Sequence, residues 1–415
     1  MASGRRVVIT GLGAVTPLGP DVPALWHGLC SGESGIGHIT RFDASDLPVQ
    51  IAGEIKDFDP CQRLPPKLVK RTSRFIQYAL WSSLEAVTDA GLDGCGVAKD
   101  RVGVVIGSGL GGLEVIVREH EKALRNKGPH VSPLLLPTML PDMAAGQVSI
   151  YFGYLGPNYC TSSACCSGAH AIGSAFRHIV QGEAEAMLAG GSEAGITHFL
   201  ISGLTRMNAL SRRNDEPKRA SRPFDADRDG FVIAEGAGIM VLEALDHAKK
   251  RDAKIYAELA GYGYSGDAYH ITAPHPEGEG ASIAMREALN SSGLPVEAIG
   301  YINAHGTSTR VNDIIETRSI RRVFREWADR IPVSATKSMT GHLQAACGAV
   351  ECIVSTLSVY HQRVHPTLNL DTPDPECDLD YVPEGPRDLK IEAALSNSFG
   401  FGGHNVSLVI KKYPD

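Results

Sequence analysis

One succession of parts runs twice through this chain, and it restricts the fold more than any composition does. In the first half a helix-period segment, Ser73 to Ala90, stops at Gly91; the apolar run Val102 to Ile106 follows, then Gly107-Ser108-Gly109. Phe75, Ile76, Leu80, Leu84 and Val87 recur there near helical spacing, and Gly is a natural helix stop. In the second half Ala281 to Ser292 stops at Gly293; the strand Gly300 to Asn303 follows, then His305-Gly306-Thr307. Each copy next reaches a turn that opens a small-residue helix, Ser163 to His170 and Ser338 to Ala345. Helices alternating with short buried strands predict α/β layers with mostly parallel sheets. The expected division is 1–255 and 256–415. Packing about a pseudo-twofold axis would bring the two helix starts together.

Composition excludes several classes. With 415 residues, 43% of them hydrophobic, the chain can bury a large core. Its net charge of −7 lacks the basic excess of a nucleic-acid binder. No apolar run reaches the roughly 18 residues of a membrane span. Six residues precede the first strand, which leaves no room for a signal or transit peptide. Nine scattered cysteines, an odd number, read as free thiols in a reducing compartment. That compartment is expected to be the cytoplasm, or a mitochondrial or plastid matrix if a leader has been removed.

Four segments carry reactive side chains. Ser163-Ala164-Cys165-Cys166-Ser167-Gly168 puts thiols at a helix start, where the dipole favours thiolate and first-turn N–H groups can hold an oxyanion. Asn303-Ala304-His305-Gly306-Thr307-Ser308-Thr309 ends a strand with an imidazole. Thr336-Lys337-Ser338-Met339-Thr340-Gly341-His342 places His342 at a helix start, where it should stay neutral, able to donate to developing negative charge. Asn397 to Asn405 sets Phe401 among Gly400, Gly402 and Gly403, a loop whose backbone can approach a ligand. Each also has a plain structural reading: buried core cysteines, a structural histidine, a helix cap with a surface lysine, a hairpin turn. Asp225, Asp227 and Asp229 resemble a calcium loop, but its twelfth position is Gly236, not Glu. Gly11-Leu12-Gly13 follows a strand as a dinucleotide loop would, but lacks the third glycine.

In this order the four segments, with Arg222-Pro223-Phe224-Asp225 and Asp267-Ala268-Tyr269-His270, resemble the elongating β-ketoacyl-acyl carrier protein synthases, type II most of all, within the thiolase-like superfamily. The resemblance covers nearly the whole chain. It implies a five-layered αβαβα fold of two pseudo-symmetric halves, a homodimer, and no metal or organic cofactor. It implies Cys165 as nucleophile, His305 and His342 as donors to an enolate, Lys337 and Glu351 as supports, and Phe401 as gate and oxyanion donor. Thr307 and Thr309 correspond to residues that bind the carrier's phosphopantetheine arm, and Leu110 to one lining the acyl pocket. Lys67, Lys70 and Arg71, with Arg125 and Lys127 added, match a basic patch for an acidic carrier. The activity implied is decarboxylative condensation of an acyl chain with malonyl-acyl carrier protein. A polyketide-type condensing enzyme shares this chemistry; a non-catalytic chain-length partner subunit would lack the cysteine. Arg310, His404, Cys347 and Cys166 depart from the usual residues.

Overall fold

The computed structural model describes residues 5–126 and 130–414. Its frame is a ten-stranded sheet of β1 (Val7–Val15), β2 (Val102–Gly107), β3 (Asn158–Tyr159), β4 (Ala186–Glu193), β5 (Gly236–Ala244), β6 (Ala257–Gly266), β7 (Ile299–Asn303), β8 (Val333–Ser334), β9 (Ala393–Gly400) and β10 (His404–Lys411). Their spatial order is β8-β7-β9-β10-β6-β1-β5-β4-β2-β3. Read outward from the centre, each half repeats one order: first strand, last, penultimate, second, short edge. The halves meet where β1 and β6 pair antiparallel, Val7 opposite Leu259 and Ile9 opposite Ala257.

The helices complete five αβαβα layers. On the outer faces, α1 (Arg74–Ala90) covers β1 and β5, and α3 (Glu279–Ser292) covers β6 and β10. Between the two halves of the sheet lie α2 (Ser167–Val180) and α5 (Cys347–His361), and α4 (Arg310–Phe324) packs on α3. Every residue of α5 from Cys347 to Val359 is buried, as a helix between two sheets must be. Its hydroxyls return to its own carbonyls, Ser355 to Glu351 O at 2.8 Å and Thr356 to Cys352 O at 2.8 Å. The small residues of α2 let the central helices touch backbone to backbone. A Cβ on Gly168 would stand 3.2 Å from the Ala349 backbone nitrogen on α5 and 2.8 Å from the Ala345 carbonyl oxygen on the turn before it.

Two expectations are corrected. The sheet is not mostly parallel: four of its nine pairings are parallel and five antiparallel. The fourth long strand of each half returns beside the first in the opposite sense, β10 after a tight hairpin and β5 after the long segment 194–235. Gly11 and Gly13 do not follow the strand but lie within it: β1 continues through them, with a register shift between Ile9 and Gly11. They are glycines because α1 lies so close: a Cβ at Gly13 would fall 1.9 Å from the Ser82 carbonyl oxygen.

Candidate active site

The chain turns sharply into α2. Ala164 has φ +51°, a left-handed conformation that costs a β-carbon residue about 1–3 kcal/mol unless its surroundings hold it. Ser167 holds it: its Oγ donates to the Ala164 carbonyl at 2.6 Å and accepts the Ser163 N–H at 2.9 Å. The turn separates the neighbouring thiols. Cys166 is fully buried and its S–H faces two carbonyls, Ser398 O at 3.1 Å and His404 O at 3.2 Å. Cys165 faces a cavity of about 710 Å³ that it lines with His305, His342, Phe399, Phe401 and Leu110. The backbone N–H groups of Phe401 and of Cys165 itself favour the thiolate form of Cys165. All four reactive segments therefore reach one cavity between the halves.

The imidazoles stand edge to face, ring centres 5.6 Å apart. His305 follows β7, and its N–H and that of Gly306 donate to the Glu316 carboxylate, each at 2.8 Å. Its Nδ1 lies 3.2 Å from Lys337 Nζ. An ammonium only donates, so Nδ1 accepts and Nε2 carries the proton. His342 reaches the same tautomer differently. Its Nδ1 accepts the Gln344 N–H at 3.0 Å, which again leaves the proton on Nε2. Both rings are thus neutral single donors. Burial pushes both well below the usual histidine range; the Lys337 charge adds to this for each, and His342 adds to it for His305.

His342 does not start a helix. Lys337–Thr340 is a single turn ended by Gly341 at φ +72°, and α5 begins only at Cys347. Between them His342 is clamped in a bridge, its N–H to Val232 O at 2.7 Å and its carbonyl to Ala234 N–H at 2.9 Å. Its neutrality comes from burial and Lys337, not from a helix dipole. The thiol expectation also changes. Burial pushes the Cys165 thiol up to about 11, against the pull of Lys337 and the Phe401 N–H. Cys165 rests as a thiol because desolvation outweighs the helix terminus. Alkylation of Cys165 by iodoacetamide, followed by intact mass, should therefore accelerate about tenfold per pH unit from pH 7 to 9. A rate already flat at pH 7 would show a resting thiolate.

Lys337, 1% exposed, donates to the His305 carbonyl at 2.6 Å and pairs with Glu351. Burial opposes its charge, but Glu351, with Cys347 and Glu316 adding to it, outweighs this and raises Lys337. Burial likewise lifts the Glu351 carboxyl to about 7 against the pull of Lys337. His305, Cys347 and Glu351 bring possible metal-ligand atoms within 4.8 Å of one another, yet Lys337 already bridges two of the three. Thr307 and Thr309 line the cavity with their hydroxyls 2.9 Å apart. Lys67, Lys70 and Arg71 are exposed on the turn before α1, outside the cavity lining. Arg125 pairs with Glu121 at 3.2 Å, and Lys127 lies outside the described residues. Asp225 is no calcium ligand; it is buried against Arg222 and the backbone of Asp371 and Thr372.

Sequence reasoning passed over two supports. Glu316 carried a signal, an acid in register with Asp313 and Ile320 on the buried face of α4. Gln344 carried none, since it acts through its backbone.

A cysteine on a strained turn, facing two neutral imidazoles across a five-layered fold, defines a thiolase-like condensing architecture. The sequence pattern of the beta-ketoacyl synthase N-terminal domain matches residues 4–248, and that of the C-terminal domain residues 256–371. The chain belongs to the beta-ketoacyl synthase family. It is 52% identical over 410 residues to 3-oxoacyl-[acyl-carrier-protein] synthase 2 of Synechocystis sp., covering 99% of this chain and 98% of that one. It is 51% identical over 414 residues to the Staphylococcus aureus protein of the same name, covering 100% of both. A type II polyketide ketosynthase solved in complex with its acyl-carrier protein and bound to the hexaketide, AntDE:AntF, superposes with a TM-score of 0.90. Its identity is 35% over 99% of this chain and 100% of that one.

Proposed function

We propose that this protein is a 3-oxoacyl-[acyl-carrier-protein] synthase that lengthens fatty acyl chains by two carbons. The observation that carries the reading is the cavity shared by Cys165, His305 and His342. Cys165 attacks the acyl thioester on acyl carrier protein, and the carrier thiol leaves with the proton. One thioester replaces another, so the exchange is close to neutral. The N–H groups of Cys165 and Phe401 hold the tetrahedral oxyanion. Malonyl-acyl carrier protein then enters and loses carbon dioxide. The electron pair of the broken bond forms an enolate, whose oxygen accepts from Nε2–H of both histidines. Its carbon attacks acyl-Cys165, the carbon–sulfur bond breaks as the β-ketoacyl product forms, and the departing thiolate takes a proton from solvent to return to the thiol. Lys337 fixes the tautomer of His305, and Glu351 keeps that lysine charged and in place. None of these steps calls on a metal or organic cofactor.

The division of labour follows the two halves, the sulfur from 1–255 and the imidazoles from 256–415. Thr307 and Thr309 receive the polar arm, Leu110 borders the acyl chain, and Phe401 gates the cavity. Lys67, Lys70 and Arg71 offer an acidic carrier three exposed cations. A homodimer is supported by the edge strand β3, unpaired on one side and flanked by Ile150 and Leu155, 72% and 75% exposed. No helix among the described residues is long and apolar enough to cross a membrane. All nine cysteines are free, which fits a reducing compartment such as the cytoplasm or an organelle matrix.

The test is intact-mass analysis after incubation with acyl carrier proteins of several chain lengths, alongside malonyl decarboxylation. Wild type should gain an acyl group. His305→Ala and His342→Ala should each slow decarboxylation at least about 10²-fold, as loss of one oxyanion donor does, and acylation far less. Because neither ring protonates until well below pH 6.5, any fall in decarboxylation between pH 8 and 6 should follow protonation of Glu351, held near 7, and not of the imidazoles. Equal losses in both half-reactions would sink the assignment of the histidines to the enolate.

A further inference from the structure

One stretch of chain leads from the floor of the cavity to solvent. His305 is 2% exposed and Thr307 7%, Thr309 is half-buried, and Arg310, the next residue, is exposed. All four line the cavity, and Arg310 is its only lysine or arginine among the described lining residues. The lining carboxylates are engaged elsewhere: Glu193 by the Gly109 N–H at 2.8 Å, Asp229 by the Arg212 N–H at 3.0 Å, Asp267 by Asn405 at 2.8 Å. The Arg310 side chain makes one long bond, Nε to the Arg228 carbonyl at 3.4 Å, while its own carbonyl accepts from Arg228 Nη2 at 2.8 Å. Among the described residues its terminal nitrogens are thus unpaired, at the rim of a tunnel whose other polar groups are imidazoles, hydroxyls, amides and the carboxylates already engaged.

We propose that Arg310 binds the phosphodiester at the outer end of the carrier's phosphopantetheine arm, making it a specificity residue for phosphorylated acyl donors. The inference rests on the reading of the site given above and deepens it. The arm is neutral and amide-bearing along its length and carries its one negative charge where it joins the carrier. The cavity matches that order, with hydroxyls within and a single guanidinium at the mouth. A guanidinium fork presents parallel N–H groups to two phosphate oxygens. Malonyl carboxylate is a poor alternative occupant, since it must lie at the floor beside His305 and His342.

The experiment compares acylation of Cys165 by three donors bearing one acyl chain: the acyl carrier protein thioester, the free acyl-phosphopantetheine and the dephosphorylated acyl-pantetheine. Arg310→Ala should lower kcat/KM about tenfold for the first two at low salt, through KM, and leave the third unchanged. Arg310→Lys should recover part of the loss, keeping the charge but not the fork. An equal loss on acyl-pantetheine would assign Arg310 to tunnel shape. A loss confined to the carrier thioester would assign it to the carrier's protein surface. No loss on any donor would leave it without a role in binding. Each of these overturns the proposal. Failure of the wild type to accept an acyl group from any donor would instead remove the site reading, and this inference with it.

Discussion

Cys165→Ala should abolish acyl transfer, by at least about 10³-fold, and leave the protein folded. Intact mass after incubation with acyl carrier protein thioester should show no adduct, while thermal unfolding stays within a few degrees of wild type. The argument comes from the turn at Ala164, which sends adjacent thiols in opposite directions. Cys165 meets the cavity and the Phe401 N–H, whereas Cys166 is enclosed against the carbonyls of Ser398 and His404. Cys166→Ala should accordingly keep the adduct. Cys165→Gln should decarboxylate malonyl-acyl carrier protein without condensing it, because its amide imitates an acylated sulfur. Should Cys166→Ala lose the adduct and Cys165→Ala retain it, the nucleophile assignment falls.

The second large effect is on stability. Lys337→Met should cost about 3 kcal/mol near pH 8, because it leaves the Glu351 carboxylate buried without its cation. Glu351 Oε2 already lacks a hydrogen-bond partner, so nothing replaces the ammonium. The variant escapes by protonating Glu351, and this fixes the sign of its pH dependence. Burial already holds Glu351 near 7 in the folded chain, against an ordinary value of 4.5, and losing Lys337 moves it higher. A carboxyl raised on folding favours the folded state fully below its unfolded value, and that contribution is lost as pH rises through the folded one. The deficit in urea unfolding should therefore shrink between pH 8 and pH 6. A deficit independent of pH would show that Lys337 contributes packing rather than charge. Decarboxylation should fall as well, since the proton position on His305 depends on this ammonium.

Much of this architecture was legible because local rules and tertiary demands agree. Ser73 and Gly91 bound α1 in the structure as they do in the sequence, and Gly293 ends α3. The repeated order of helix, strand and glycine turn foretold the two halves. The misreadings share one cause, the use of local signals where burial decides. Gly11 and Gly13 read as lying beyond the strand because nothing nearby in sequence shows α1 pressed against them. His342 read as a helix start because the break at Gly341 is imposed by a bridge to Ile233, distant in the chain. Cys165 read as a thiolate because a helix terminus is visible in sequence and desolvation is not.

The sequence by itself determined the family and the two-part plan, and pointed to the residue types proposed for the reaction: one sulfur, two imidazoles, a lysine and a glycine-flanked aromatic. Only the tertiary structure decided which of two adjacent thiols meets the cavity, which nitrogen of each imidazole holds the proton, and that Arg310 marks the rim. The physical reason is common to all three. Each depends on direction and depth, set by contacts between segments far apart in the chain, such as Lys337 with His305 or Phe401 with Cys165.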